Sequence, residues 1–173
     1  MTSNTLKTIV GFLGTLLSKY TPLKLSKDTL EGIYNYHAIS STLTTSGQPS
    51  EEQFLLIRDA GYSSVINLAP HNSENSLTNE ELLVRQLGLK YTYIPVDFKN
   101  PTDEDFEKFV TSIRESESEK TWIHCAANMR VSAFIYKYRL EVLNHDATQA
   151  AADLAKIWEP FGVWKQFIKK SNE

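Results

Sequence analysis

The stretch Thr121-Trp-Ile-His-Cys-Ala-Ala-Asn-Met-Arg-Val-Ser132 joins a predicted strand to a predicted helix through a short loop. Its first four residues are mostly β-branched or aromatic, which is typical of a buried strand. The only cysteine of the chain, Cys125, follows directly, and a mainly apolar helical pattern begins at Arg130. In such a loop the backbone N–H groups converge on one point, and the helix N-terminus adds positive potential there. The stretch therefore predicts an anion-binding loop.

The residue types in this loop fit the transfer of phosphoryl or sulfur groups. The field of the helix N-terminus favours the thiolate form of Cys125, and a thiolate is the nucleophile that this chemistry needs. The guanidinium of Arg130 can hold two oxygens of a tetrahedral anion. A cation at a helix N-terminus opposes the helix dipole, so a bound anion explains Arg130 better than stability does. After glycine, Asn128 is the residue type that best tolerates the positive φ such a loop requires.

The rest of the chain alternates short strand patterns with longer helical patterns, as in an α/β layer structure. The predicted strands cover residues 33–39, 43–45, 63–68, 90–96 and 121–124. One predicted helix begins after Ser50, and the others cover residues 79–87, 103–117, 130–143, 147–158 and 161–170. We expect one sheet with helices on both faces. Cys125 should lie at the carboxyl edge of a central strand, where open α/β sheets bind their ligands.

The pair His124-Cys125 followed by Arg130 resembles the signature of the protein tyrosine and dual-specificity phosphatase superfamily. The resemblance extends over about residues 33–145 through Val65-Ile-Asn-Leu68, Tyr91-Thr-Tyr-Ile-Pro-Val-Asp97 and the helix start Asn100-Pro101-Thr102. It implies a three-layer α-β-α sandwich with a central, mostly parallel sheet of four or five strands. Together with Thr45-Ser-Gly-Gln-Pro49, the chain is most similar to the bacterial phosphatase-like domains sometimes encoded beside, or fused to, metallo-β-lactamase-fold hydrolases.

The loop departs from the superfamily signature in its length. Four residues separate Cys125 from Arg130, whereas the phosphatase signature has five and carries a glycine. Four-residue spacing is typical of rhodanese-like sulfurtransferases, which hold a persulfide, although the bacterial group named above also has the shortened loop. The sequence thus predicts a cysteine-dependent phosphatase of phosphate monoesters, including protein phosphotyrosine. Two alternatives stay open: a sulfurtransferase using a Cys125 persulfide, and a phosphate-binding module without turnover.

The resemblance also implies roles for the residues around the nucleophile. Ala126, Ala127, Asn128, Met129 and Arg130 would bind the phosphate, and His124 would orient the loop and tune the thiolate. The hydroxyl that usually follows the signature arginine is displaced to Ser132.

The leaving oxygen needs a proton donor. Asp97 is the first candidate because it follows the predicted strand 90–96, and the resembling phosphatases carry their acid on the loop after this strand. Asp103 is the second candidate, although Asp103 and Asp105 also suit the start of a helix, where the dipole favours carboxylates.

Composition narrows the range of functions and partners. The chain has 173 residues, a net charge of −3 and one cysteine. A single cysteine excludes an intrachain disulfide framework and a multi-cysteine metal site, and the negative net charge gives no general attraction to nucleic acid. The thiolate and the loop supply the chemistry, so we expect no cofactor and no metal. The expected partner is a phosphorylated protein or small molecule, and a homodimer is an open alternative.

Residues 1–27 form a segment of different composition, with four lysines and no acidic residue, and we assign residues 28–173 to a single catalytic domain. The apolar residues of this segment recur at helical spacing and predict an amphipathic helix: Leu6, Ile9, Val10, Leu13, Leu16, Leu17 and Tyr20. We expect the helix to pack on the protein's own core or on a partner subunit, with membrane contact through residues 5–20 as the weaker alternative. The stretch is too short to span a bilayer and no small-residue cleavage site follows it, so we expect a cytoplasmic protein.

Overall fold

The computed structural model describes residues 2–20 and 29–169, and in this part of the chain all the strands belong to one five-stranded sheet. The strands are β1 (His37–Ala38), β2 (Leu43–Ser46), β3 (Ser64–Asn67), β4 (Lys90–Tyr93) and β5 (Thr121–His124). Their order is β1-β2-β5-β3-β4, with β1 antiparallel to β2 and the other neighbours parallel. The predicted sheet is confirmed, although β1 and β4 are shorter than expected. β5 is the central strand, so Cys125 lies at the carboxyl edge of the sheet.

Seven α-helices are present in the described ranges, and several begin where the sequence predicts a cap. They are α1 (Ser3–Tyr20), α2 (Glu51–Asp59), α3 (Glu80–Gln86), α4 (Asp103–Glu115), α5 (Met129–Glu141), α6 (Ala147–Ile157) and α7 (Val163–Phe167). Ser50 caps α2, and its side chain accepts from the Gln53 amide in a reciprocal capping box. Thr102 and Asp105 form the same arrangement at α4. Asp105 is therefore a helix-start carboxylate, as its position in the sequence indicates.

The sheet separates two apolar cores, because successive residues of a strand face opposite sides. Ile66 and Ile123 belong to a core shared with α4, α5, α6 and α7, whereas Val65 and Trp122 belong to a core shared with α2 and α3. The first core is rich in aromatic side chains: Phe106, Phe109, Phe134, Trp158, Trp164 and Phe167. Two helical layers therefore enclose the sheet, which confirms the predicted three-layer α-β-α sandwich.

Helix α1 corresponds to the predicted N-terminal helix, but three of its predicted apolar residues face away from the domain, and the side chains of Leu17 and Tyr20 lie outside the described part of the chain. Thr5 and Thr8 are buried, and their side chains bond to the end of α6 and the residues after it. Leu6, Val10 and Leu13 are more than half exposed. The expectation that these apolar residues pack on the protein's own core is wrong, because the backbone groups at the end of α6 select the hydroxyl-bearing face of the helix.

Candidate active site

Two asparagine side chains hold the loop between β5 and α5 through hydrogen bonds to its carbonyl groups. The Nδ2 of Asn75 and the Nδ2 of Asn35 donate to the carbonyls of Ala126 (2.9 Å) and Ala127 (3.0 Å). A trans peptide points each carbonyl away from the following N–H group. The N–H groups of Ala127 and Asn128 therefore face the opposite side from these two asparagines.

The same loop leaves backbone donors without protein acceptors. Within the described ranges, the amides of Ala126 and Ala127 donate to no carbonyl, whereas the amide of Cys125 donates to Ser46 O at 3.3 Å. Cys125 itself is a free, fully buried cysteine. The strand end thus presents a thiol next to unsatisfied amides, which is the arrangement an anion can complete.

Asn128 has a φ of 63°, as expected for the residue that turns this loop into α5. Its side chain is fully buried, and its Nδ2 donates to Asn35 O (2.7 Å) and to Thr45 Oγ1 (3.0 Å). An asparagine can adopt the left-handed conformation and also bond its surroundings, whereas glycine supplies the conformation alone. Asn128 therefore fixes both the backbone turn and the position of the loop against β2.

Arg130 lies in the first turn of α5 and reaches the segment that carries Asp97. Its Nε donates to Val96 O at 2.9 Å, and its guanidinium carbon lies 5.3 Å from the centre of the Phe98 ring. Its two terminal nitrogens make no hydrogen bond within the described part of the chain. The side chain is thus positioned by two contacts that leave the outer edge of the guanidinium for a ligand.

The two candidate acids occupy different environments. Asp97 is exposed, and its Oδ1 accepts from the amide of Lys99 at 2.9 Å, which holds the carboxylate in a local turn. It directly follows Val96, the residue bonded by Arg130. Asp103 is exposed in the first turn of α4, where the dipole favours a carboxylate. The structure therefore brings the backbone beside Asp97, and not the start of α4, into direct contact with the loop arginine.

A buried carboxylate behind the loop was missed by sequence reasoning. Glu80, at the start of α3, is 3% exposed, and its Oε1 lies 3.2 Å from Nε2 of His124. Tyr91 OH and Asn67 Nδ2 each donate to the same Oε1 at 2.7 Å, and Gln48 Nε2 donates to Oε2. Burial alone would raise the pKa of Glu80, but the pairing with His124 and the bonds from Tyr91 and Gln48 lower it to about 2.

The network around Glu80 gives His124 a structural partner. His124 is fully buried and directly precedes Cys125, and the Phe54 ring contacts its ring edge-on at 5.7 Å. Burial and, to a smaller extent, the charge of Glu80 raise the pKa of Tyr91, so its hydroxyl stays protonated and donates. The only sequence signal for this network was an acidic helix start after the Val65–Leu68 stretch, which by itself indicates a cap.

Ser132 lies one turn after Asn128 in α5. Its hydroxyl donates to Met129 O at 3.1 Å and accepts from the Trp158 indole N–H at 3.2 Å. Within the described residues it makes no hydrogen bond to Cys125. These two contacts tie the hydroxyl to α6 and leave its predicted supporting role at the site without a direct contact.

His71, His37 and His145 do not join the loop. The His71 ring stacks on Tyr93 at 3.8 Å, and His37 pairs with Asp153 at 3.1 Å on the α6 side. His145 is exposed after α5. In the described part of the chain, no group of three or more His, Cys, Asp or Glu side chains is arranged to hold a metal ion.

A buried cysteine directly follows the central strand, a tight loop comes next, and an arginine lies in the first turn of the helix after it. This arrangement places the domain in the protein tyrosine and dual-specificity phosphatase superfamily. Residues 14–170 match the family model described as a DSP-PTPase phosphatase fused to NAD+ kinase, and the chain belongs to this family. The resemblance in the sequence is thereby confirmed, and the domain is of the phosphatase type.

Solved structures share this fold. A DUF442 protein of Shewanella putrefaciens CN-32 is 35% identical, with a TM-score of 0.74 over 82% of this chain and 93% of that one. The core catalytic domain of the PP-IP phosphatase SIW14 of S. cerevisiae is 19% identical, with a TM-score of 0.65 over 79% of this chain and 85% of that one. At that lower identity the likeness concerns the fold alone.

A curated relative has a longer chain. The β-lactamase hydrolase-like protein of Xylella fastidiosa is 34% identical over 95 residues, which are 53% of this chain and 22% of the relative. The alignment therefore spans about a fifth of the relative's length. Its name is consistent with the predicted similarity to phosphatase-like domains found with metallo-β-lactamase-fold hydrolases.

Proposed function

We propose that this chain hydrolyses phosphate monoesters through a cysteinyl-phosphate intermediate on Cys125. The observation that carries the proposal is the position of Cys125 beside unsatisfied loop amides, with Arg130 anchored to the backbone next to Asp97. The same features would bind the phosphate group of a monoester with its leaving group directed toward Asp97. No other cysteine in the sequence could serve as the nucleophile.

The reaction divides into two displacements at phosphorus. In the first, the thiolate of Cys125 forms an S–P bond while the P–O bond to the leaving group breaks, and Asp97 protonates the departing oxygen. The loop amides and the terminal nitrogens of Arg130 hold the other phosphate oxygens. In the second, Asp97 accepts a proton from water, the water oxygen attacks phosphorus, and the S–P bond breaks to return the thiolate and release inorganic phosphate.

The short loop of Ala126, Ala127, Asn128 and Met129 carries no charged side chain. The positive charge at the site therefore comes from Arg130 and the helix N-terminus. This favours a substrate with one phosphate group over a densely phosphorylated one. Phosphotyrosine in a protein and small phosphate monoesters both meet this requirement.

The test is hydrolysis of p-nitrophenyl phosphate and of a phosphotyrosine peptide by the full chain. We expect turnover of both, a phosphorylated Cys125 after rapid acid quench detected by peptide mass spectrometry, and complete loss of turnover in Cys125→Ser. Arg130→Ala should lose both turnover and phosphate binding. Turnover that persists in Cys125→Ser contradicts the proposal. Sulfur transfer from thiosulfate to cyanide without phosphate hydrolysis would assign the site to a persulfide instead.

A further inference from the structure

Helix α1 exposes a stripe of large apolar side chains. Leu6, Val10 and Leu13 are 52%, 59% and 54% exposed. Their spacing of four and three residues places them on one face of the helix, one turn after another. A surface helix normally turns such a face toward the core. Exposure of this stripe to water is unfavourable, and a binding partner that covers it would remove this unfavourable exposure.

The orientation of α1 is fixed by its opposite face. Glu159 N–H donates to Thr5 Oγ1 at 2.8 Å, and Asn4 Nδ2 donates to Ala155 O at 2.9 Å. Tyr34 OH donates to Thr8 O, and burial raises the pKa of Tyr34 to about 12, so the phenol remains a donor at neutral pH.

Helix α1 also fits closely against Tyr34. A Cβ added at Gly11 would lie 2.7 Å from a ring carbon of Tyr34, so only glycine allows this approach. Hydrogen bonds and close packing therefore hold the polar face inward and leave the apolar stripe outward.

Two further exposed apolar side chains lie on the segment that follows α6. Phe161 and Val163 are 49% and 42% exposed, and they follow Glu159, whose amide bonds Thr5. Five of the eight exposed large apolar side chains in the described ranges thus lie on α1 or on the segment bonded to its first turns. We call the three side chains on α1 the apolar patch: Leu6, Val10 and Leu13.

Basic residues accompany the apolar patch. Residues 1–27 carry four lysines and no acidic residue, whereas residues 28–173 carry 14 basic and 21 acidic residues. Lys7 is exposed beside Leu6, and Lys165 is exposed two residues after Val163. Glu159 is the nearest acidic residue in the chain to Phe161. An apolar face with flanking lysines is typical of helices that lie on anionic lipid surfaces.

The basic residues near this face favour an anionic lipid surface over a second copy of the chain as its binding partner. A two-fold dimer formed through this face would place Lys7 of both copies in one interface, and like charges repel. An anionic bilayer attracts the lysines and accepts the apolar side chains. We propose that the apolar patch docks this phosphatase domain on the surface of an anionic lipid bilayer, with α1 parallel to the membrane plane.

The docking is peripheral. Among the described residues, no helix is long and apolar enough to cross a bilayer. The α1 stripe has one large side chain per turn, which suits shallow insertion at the boundary between headgroups and acyl chains. The residues of the catalytic loop lie outside the apolar patch.

The test is co-sedimentation of the full chain with vesicles of phosphatidylcholine, with and without phosphatidylserine. We expect binding only to the vesicles containing phosphatidylserine, and weaker binding as salt rises. The triple variant Leu6→Gln, Val10→Gln and Leu13→Gln should bind at least about tenfold more weakly, because the inserted apolar area is lost. Lys7→Glu should weaken binding about fivefold or more.

The matched control is Leu82→Gln on α3, since Leu82 is 56% exposed and lies outside the apolar patch. This variant should bind as the wild type does, and thermal melts should show that all variants are folded. Equal binding to both vesicle types, no binding, or equal losses in the Leu82 and triple variants would overturn the proposal. A wild-type dimer that the triple variant converts to a monomer, without vesicle binding, would assign the face to a second copy.

Discussion

Nε2 of His124 lies 3.2 Å from Oε1 of Glu80, with both side chains buried behind the cysteine loop. This contact joins the residue that precedes Cys125 to the first turn of α3. Because Tyr91, Asn67 and Gln48 also donate to Glu80, the carboxylate connects β3, β4, β5 and the loop after β2. The position of the end of β5, which directly precedes Cys125, therefore depends on a charged side chain of α3.

Replacing Glu80 with glutamine tests how much this charge contributes to stability. The pKa of Glu80 is lowered from 4.5 to about 2, so its stabilising effect is complete above pH 4.5 and is lost as the pH falls toward 2. A shift of this size corresponds to about 3 kcal/mol at neutral pH. We expect Glu80→Gln to unfold at lower urea concentration at pH 7, with the difference narrowing at pH values progressively below 4.5.

Glu81→Gln is the matched control for this experiment. Glu81 follows on the same helix but is half exposed and pairs with Arg85, so its loss should change the free energy of unfolding by less than about 0.5 kcal/mol. A difference between wild type and Glu80→Gln that stays constant from pH 7 to pH 3 would show that shape, and not charge, accounts for the effect.

Two substitutions of Asn128 separate the contribution of its left-handed backbone conformation to stability from the contribution of its side-chain hydrogen bonds. Asn128→Gly keeps the left-handed conformation but loses the bonds to Asn35 and Thr45, which should cost about 1 to 3 kcal/mol. Asn128→Ala loses these bonds and also strains the backbone, which adds about 1 kcal/mol. Urea denaturation should therefore rank wild type above the glycine variant and the glycine variant above the alanine variant. An alanine variant as stable as the glycine variant would show that the loop relaxes.

The parts of this site that could be predicted from sequence are those that lie within one continuous stretch. The order strand, cysteine, loop and arginine is local, and Asn128 is recognisable because its residue type suits a positive φ. Asn75 reaches the loop and Glu80 reaches His124 at the end of β5. Both come from the segment after β3, and neither has a spacing relation to Cys125. Their contacts follow from the way β3 and β5 lie side by side, which is a tertiary property.

The N-terminal helix shows a second limit of sequence patterns. Periodicity located α1, but it could not tell which face meets the domain. The hydroxyls of Thr5 and Thr8 reach backbone groups at the end of α6, and this pairing decided the orientation. Apolar periodicity predicts the inward face only where the surface beneath the helix is itself apolar.

The hydroxyl of Ser132 should affect stability more than catalysis. It bonds Met129 O and the Trp158 indole, so Ser132→Ala leaves a buried indole N–H without an acceptor. We expect a loss of about 1 to 2 kcal/mol in the free energy of unfolding. The value of kcat for p-nitrophenyl phosphate should change by less than about threefold, since the hydroxyl is already engaged by these partners. A large fall in kcat with unchanged stability would instead place the hydroxyl in the reaction.

Asp97→Asn tests the proton donor, because its effect should depend on the leaving group. An alkyl phosphate releases a strongly basic alkoxide and needs a proton, so its turnover should fall by about 10² to 10⁴. Turnover of p-nitrophenyl phosphate should fall much less, because nitrophenolate leaves readily without a proton. Asp103→Asn, which changes another exposed carboxylate, should alter neither rate. Equal losses on both substrates would remove Asp97 from this role, and a substrate-dependent loss in Asp103→Asn alone would transfer the role to Asp103.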